Sequence, residues 1–490
     1  MTSGDQLATQ VQELLSRAAR AYAGNANAQM YLHDQLKQLD GPLRLAVAGA
    51  PNTGKSTLVN ALIGENLAPV EHAGATGFFT WYLDGPQLRA HLCPQNAAPY
   101  EAKLRSAATG LQLIGPAEPT SPDHDTGADG IDQVIVELPS RGLRHTHFLD
   151  TPGLPPADTA PDIATRVLHE ADAVLFLSRT LAPADLRRLP PARGIWAAAT
   201  LPIHTVVVLN RADETAGGRV DALLAAKQVA RRRRREPDLA AVCQDVVAVS
   251  ALLGHAARTL RHDEFAALKI LADQPRTALD PHLLSTDRFL APGHATALDE
   301  QRRRQLVDRL GLTGIRLATT LVRSGCHDPS ALAESLLRHS GLAELQAVIA
   351  DLFSARRSVL KARTALLGVE ELVHREPCSQ RAYLLTQLER VVSNAHEFRE
   401  MRLLAALRTG RAGLPADTAA EARRLAGGEG TSVFERLGLS AETPPDRLWS
   451  EADTKAERWR SQSRQAQSGR HRQSAQVVVR SCEAILHQLG

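Results

Sequence analysis

The chain has 490 residues, 43% hydrophobic and 23% charged, which is too long for one ordinary core and excludes a disordered or fibrous chain. Its 57 basic and 54 acidic side chains leave a formal charge of +3, so no global field directs it to nucleic acid. Five scattered cysteines without a CxxC pair argue against a disulfide framework or zinc site and fit a reducing, cytoplasmic compartment. The opening MTSGDQLATQ has neither a basic start nor an apolar core, so no signal peptide is expected. No apolar run reaches the roughly 18 residues of a spanning helix, so any membrane contact would be peripheral.

In chain order, Leu7, Val11, Leu14, Leu15, Ala18 and Tyr22 recur at helical spacing. A break at Gly24-Asn25 precedes a second helical segment over about 27–39. Residues 1–40 are thus a helical arm, expected to pack with helices between 300 and 490. The apolar run Leu45 to Ala48 then reads as a buried strand leading into Gly49-Ala50-Pro51-Asn52-Thr53-Gly54-Lys55-Ser56. A periodic helix follows with Leu58, Val59, Leu62 and Ile63. Strand, turn and helix give GxxxxGK[ST] the context of a phosphate-binding loop. Gly49 and Gly54 let the backbone curl its N–H groups towards an anion, and the new helix turns its positive end the same way. Lys55 adds a point charge for the β- and γ-phosphates, Ser56 offers a hydroxyl to Mg2+, and Asn52, Thr53 and Thr57 complete the candidate loop.

Glu65 to Gly77 is a polar loop, followed by a strand at Phe78–Leu83 that is expected to form a hairpin with Leu88–Leu92. Residues 94–130, rich in Pro, Gly, Ser and Asp, read as an irregular insertion. Further strands are expected at 134–138, 144–149, 173–177, 203–209 and 245–249, with helices at 163–171, 183–190 and 218–235. This alternation predicts an open, mostly parallel α/β sheet covered on both faces, over residues 41–280. A Pro- and Gly-bearing stretch at 276–297 marks a boundary. Beyond it, 281–490 reads as an all-α elongated bundle or stalk. It comprises short helices near 298–309, 314–324 and 329–338, long ones over 341–374 and 379–411, and two more at 447–466 and 471–488.

Three further motifs each follow a strand, where ligand loops of open α/β sheets sit. Asp150-Thr151-Pro152-Gly153 offers a carboxylate to a Mg2+-bound water and a Gly153 N–H to a γ-phosphate. Asn210-Arg211-Ala212-Asp213 matches N/T-K-x-D with Arg for Lys. Asp213 can accept from guanine N1–H and N2–H, Arg211 can stack on the base, and Asn210 would tie this loop to the phosphate turn. Ser250-Ala251-Leu252 suits the element whose Ala251 N–H bonds guanine O6.

With these motifs in this order, residues 41 to about 260 resemble a P-loop GTPase of the translation-factor class. Ala61-Leu62-Ile63-Gly64 with Leu67, Pro69-Val70, Thr76 and Thr80 resembles the start of a bacterial dynamin-like GTPase domain. Ser340-Gly341-Leu342, Glu457-Arg458-Trp459-Arg460 and Val478 to Glu483 are similar to segments of actinobacterial dynamin-like proteins. The resemblance implies GTP/GDP and Mg2+ as ligands, with the metal held by Ser56, Thr76 and, through water, Asp150. It implies Lys55, Thr76 and Gly153 as catalytic, with Thr80 as second choice for the switch threonine.

It also implies a homodimer through GTPase domains, or hetero-assembly with a related dynamin-like protein, in membrane remodelling. Leu154 stands where Ras-like enzymes carry a water-orienting Gln, so isolated turnover should be slow. Gly-x-Pro-Asn-x-Gly-Lys-Ser is similar to potassium-activated GTPases. Asn52 is therefore expected either to support a K+ ion across a dimer or only to hydrogen-bond within its own loop. Two alternatives remain open: an Era-like switch acting on RNA or the ribosome, and a GTP-binding scaffold with negligible hydrolysis. Arg231 to Arg235 reads as a solvated helix end, and Trp449 and Trp459 as helix-packing anchors.

Overall fold

A computed structural model describes residues 3–65, 67, 78–95, 97–107, 110–114, 131–156, 161–189, 203–218, 221–292 and 297–490. The expected switch threonine, Thr76, lies outside them. The described strands are β1 (Leu43–Gly49), β2 (Phe79–Asp84), β3 (Arg89–Pro94), β4 (Tyr100–Ala107), β5 (Gly110–Ile114), β6 (Ile131–Leu138), β7 (Thr146–Asp150), β8 (Ala173–Ser178), β9 (Thr205–Leu209) and β10 (Val246–Ala248). They form one sheet in the order β10-β9-β8-β1-β7-β2-β6-β3-β4-β5. The β10-to-β7 half is wholly parallel, as expected.

The other half corrects two expectations. β2 and β3 form no hairpin with each other. β6 lies between them, parallel to β2 and antiparallel to β3. Its alternating burial, with Val134, Val136 and Leu138 inward, suits an interior position that a two-strand ribbon could not offer. The supposed irregular insertion contains β4 and β5, which extend the sheet antiparallel. Its turn-rich composition masks the short strands between.

Helices cover both faces. They are α1 (Ser3–Ala21), α2 (Ala26–Asp40), α3 (Lys55–Ile63), α4 (Pro161–Glu170), α5 (Ala222–Arg233), α6 (Ala251–Arg258), α7 (His262–Ala272), α8 (Glu300–Arg323, broken at Gly311), α9 (Pro329–Ser340), α10 (Leu342–Leu352), α11 (Arg357–Arg375), α12 (Arg381–Asn394), α13 (His396–Arg408), α14 (Ala416–Leu425), α15 (Pro445–Gln465) and α16 (Gly469–Leu489). No described helix is long and apolar enough to cross a membrane. The two long helices expected over 341–374 and 379–411 are each broken, at Phe353 to Arg356 and at extended Ala395. Phe353 and Ala395 are both buried, so each break turns an apolar stripe back into a core.

Strand alternation assigns the two faces. Leu43, Leu45 and Val47 of β1 share a core with α1, α2, α3, α10, α11 and α12. Ala46 and Ala48 face the other way, into a core shared with α4 to α9. The 276–297 stretch does not divide cores: Leu279, Leu283 and Phe289 lie in that second cluster, continuous with the sheet. The N-terminal arm lies on α11 and α12. Tyr22 donates to the Glu376 carbonyl at 2.8 Å, Arg17 donates to Tyr383 at 3.2 Å, and Tyr31 fits against Gly368. A third core joins the end of α13 with α14, α15 and α16 around Trp459, whose indole N–H donates to Glu421 at 3.0 Å. Trp449 corrects its expectation: it is 46% exposed and no packing anchor. In the arginine run, Arg233 pairs with Glu236 and Asp238, and Arg234 with Asp245, while Arg231 and Arg232 point to solvent.

At the amino edge of the sheet, Asp172 has no exposure. It accepts from the Arg44 N–H (2.9 Å), the Arg44 guanidinium (3.1 Å) and Lys361 of α11 (3.0 Å). Burial opposes its charge, but Arg44 and Lys361 together hold its pKa below the usual aspartate value. Its contribution to stability is therefore complete above about pH 3.9 and is lost as pH falls through the lower folded value. Asp172→Ala, which strands Lys361 inside, should lower the unfolding free energy by about 3–5 kcal/mol. A urea midpoint at pH 7 equal to wild type would contradict this.

Candidate functional site

The site is built on the carboxyl edge of the parallel strands, beside β1. Gly49 and Gly54 have φ of 152° and 87°, a region that favours glycine. A Cβ on Gly49 would meet the Leu177 carbonyl at 2.5 Å, and one on Gly54 the Asn210 amide at 2.5 Å. Thr53 closes the turn by donating to the Ala50 carbonyl at 2.8 Å. α3 starts at Lys55, so its unpaired N–H groups face the turn. The far end of α3 is held by Arg258, which donates to the Ala61 and Leu62 carbonyls at 3.1 and 2.9 Å. That residue lies in α6, almost two hundred positions on, and nothing local in the sequence signals its role.

Lys55 is buried, and its Nζ donates to the Ala50 carbonyl at 3.2 Å. Burial lowers its pKa, against the pull of Asp150. Ser56 Oγ donates to Asp150 Oδ2 at 2.5 Å. Asp150 Oδ1 is buried without a hydrogen-bond partner. Burial pushes the Asp150 pKa up to about 6 despite the Ser56 bond and the Lys55 charge. A hydroxyl, a carboxylate oxygen lacking a donor and a cationic neighbour fit a divalent ion with its phosphate ligand. Thr57 follows in the first turn of α3, half-buried.

β7 delivers the next segment. Leu154 N–H donates to the Gly49 carbonyl at 2.9 Å, which lays this loop along the phosphate turn. Gly153 sits against Pro51, so close that a Cβ would meet Pro51 Cγ at 2.6 Å. Leu154 is 2% exposed and packs into the second core, so it positions no water. Asn52 is exposed, with φ of 60°, and its amide makes no hydrogen bond among the described residues. Thr80 is buried opposite Asp150 in the β2–β7 ladder.

Asn210 locks the loops together. Its Nδ2 donates to the Thr53 carbonyl at 2.7 Å, and its Oδ1 accepts from the Ala251 N–H at 3.1 Å. The Ala251 amide, expected to face guanine O6, is thus engaged by Asn210 in this structure. Ser250 caps α6 through the Leu253 N–H at 3.3 Å. Arg211, expected to stack on a base, adopts φ of 55° and pairs with Glu214 at 2.8 Å. Asp213 sits, partly exposed, on the turn Ala212–Gly217. Sequence reasoning missed the support of this loop. Thr313 of α8 donates to the carbonyls of Asp213 and Gly218, both at 3.1 Å, and Ser250 N–H donates to the Ser340 carbonyl at 2.8 Å.

A model of the dynamin family matches residues 45–187, the stretch from β1 past β8. Isoniazid-induced protein IniC of Mycobacterium tuberculosis is 35% identical over 504 residues, an alignment covering 98% of each chain. The bacterial dynamin-like protein of Nostoc punctiforme is 28% identical over 150 residues, covering 30% of this chain and 22% of that one. A solved oligomerised bacterial dynamin pair, described as a mechanism for long-range membrane sensing and tethering, aligns with 99% of this chain and 75% of its own at 12% identity and a TM-score of 0.29. Similarity to IniC along almost the whole of both chains, with the family match on the phosphate turn, shows that this chain belongs to the dynamin family as a bacterial dynamin-like GTPase.

Proposed function

We propose that the chain binds GTP with Mg2+, hydrolyses it slowly alone and faster when two GTPase domains meet, and passes nucleotide state to its helices in membrane remodelling. The observation that carries this reading is the Ser56–Asp150 pair with its unpartnered Asp150 Oδ1 beside Lys55. Lys55 and the backbone from Gly49 to Ser56 hold the phosphates. Ser56 and Thr76 would hold the metal, with Asp150 behind a water, and the ion would supply charge neutralisation to the phosphates. The Gly153 N–H follows the γ-phosphate and lets go on hydrolysis. Asp213 selects guanine through N1–H and N2–H, with Arg211 leaving Glu214 to stack on the base.

Membrane output and assembly with itself or a related dynamin-like protein rest on family membership. Liposome co-sedimentation with and without GTP tests the output. RNA-sensitive co-migration with ribosomes, without vesicle binding, would favour the Era-like alternative instead.

Three measurements test the site. Asp213→Asn should weaken GTP by roughly a hundredfold and favour xanthosine triphosphate, because an amide donates where the carboxylate accepted. Unchanged GTP affinity would remove Asp213 from base recognition. Turnover per molecule should rise with protein concentration, and a flat profile means that pairing does not activate. The exposed Asn52 amide, bound to nothing in its own loop among the described residues, supports its role towards K+. Turnover at high protein concentration should then be several-fold faster in potassium than in sodium chloride at matched ionic strength, and Asn52→Ala should erase the difference. Equal rates in the two salts would exclude that role.

A further inference from the structure

A cavity of about 920 Å³ lies between α13 and the turn joining α15 to α16. None of its lining residues belongs to the nucleotide site. Seven arginines line it, against one carboxylate, Glu483. That carboxylate is already paired with Arg460 at 3.0 Å. Arg464, Arg470 and Arg480 have no acidic partner among the described residues.

Nearby acids are committed elsewhere. Asp245 is held by Arg408 (2.6 Å) and Arg234 (3.4 Å), and buried Glu400 by Arg436 and Ser481. The wall therefore carries more positive charge than its one carboxylate offsets. Burial lowers the pKa of Arg402, with Arg399 adding repulsion, and burial likewise lowers that of Arg411, against the pull of Cys243 and Asp245 and with Arg470 adding repulsion. The first turn of the long helix α16, which carries Arg470, adds its positive end to the same space.

We propose that this cavity is a second anion site, which binds a compact, multiply charged phosphate ester. The volume is that of a small-molecule pocket. Guanidinium groups grip phosphate oxygens bidentately, and several around one space match several phosphoryl groups on one ligand. The same chemistry is presented by a soluble polyphosphate and by a phospholipid headgroup. Because the lining spans α13, α15 and α16, a bound anion clamps the third core onto the segment whose Arg408 reaches Asp245 beneath β10. The site does not depend on how GTP is bound or hydrolysed.

The test uses the full chain saturated with GDP and Mg2+, so that the phosphate turn is occupied. Inorganic tripolyphosphate is titrated calorimetrically, and flotation is measured with phosphatidylglycerol and with phosphatidylcholine vesicles. Three proteins are compared: wild type, the cavity pair Arg464→Gln with Arg480→Gln, and a control pair Arg231→Gln with Arg232→Gln that removes equal charge from exposed positions. One saturable tripolyphosphate site, weakened roughly tenfold or more in the cavity pair and unchanged in the control, establishes a soluble-anion site. Flotation with phosphatidylglycerol alone, lost in the cavity pair only and competed by tripolyphosphate, establishes the same site with a headgroup as its source. The proposal is overturned by no saturable binding in either arm, or by equal losses in both variant pairs. Matching thermal midpoints and GDP affinity in all three proteins would show that the variants fold.

Discussion

One buried carboxylate ties the helices to the sheet. Asp172 has no contact with water, and the charges that make its burial tolerable come from two directions, Arg44 at the start of β1 and Lys361 in α11. An uncompensated charge at that depth costs several kcal/mol, so neither element can leave without the other becoming unfavourable. α11 in turn seats α1 and α2 through Tyr22 and Gly368. β1 leads from beside Arg44 to Gly49, and β8 runs from just beyond Asp172 to Ser178, whose carbonyl accepts from the Asn210 N–H at 3.0 Å. Two central strands thus connect the helical base to the phosphate edge as continuous, fully hydrogen-bonded rods.

Asp150 and Asp172 are both buried in the same sheet, yet their pKa values move in opposite directions. Asp172 has its acceptors filled by cations and an N–H, and its charge is favoured. Asp150 has one oxygen served by Ser56 and one by nothing, and burial wins. A carboxylate left short of donors inside a fold is a cost that stability alone would not keep, which distinguishes a ligand site from a structural ion pair.

Much of this edge was legible in the sequence because its motifs are local. Gly49 to Ser56, Asp150 to Gly153 and Asn210 to Asp213 each follow a short apolar run that does form a strand. The contact of Asn210 with the phosphate turn was legible for the same reason. What was illegible is non-local. β6 enters between β2 and β3 from some forty positions downstream, and no periodicity in β2 or β3 announces a strand between them. Arg44, Asp172 and Lys361 stand more than a hundred positions apart, and each alone reads as a surface charge. β4 and β5 were hidden by their surroundings, and the breaks at Phe353 and Ala395 carry no Gly or Pro to mark them. Packing decides them, because an unbroken helix would leave its apolar stripe facing water.

The loop carrying Asp213 is propped from α8, and Ser250 is propped from the end of α9, where Gly341 passes so near β10 that a Cβ would lie 2.2 Å from the Ala248 carbonyl. The smallest unit that keeps these loops in place therefore extends well past the apparent linker, to about residue 341. This bears on how such chains can be recombined. A chimera joined near 280 would sever Asp213 from Thr313 and Ser250 from Ser340. A junction beyond Gly341 would keep both, but a helical remainder exchanged there must still supply a cation for Asp172 in place of Lys361 and an apolar face for β1.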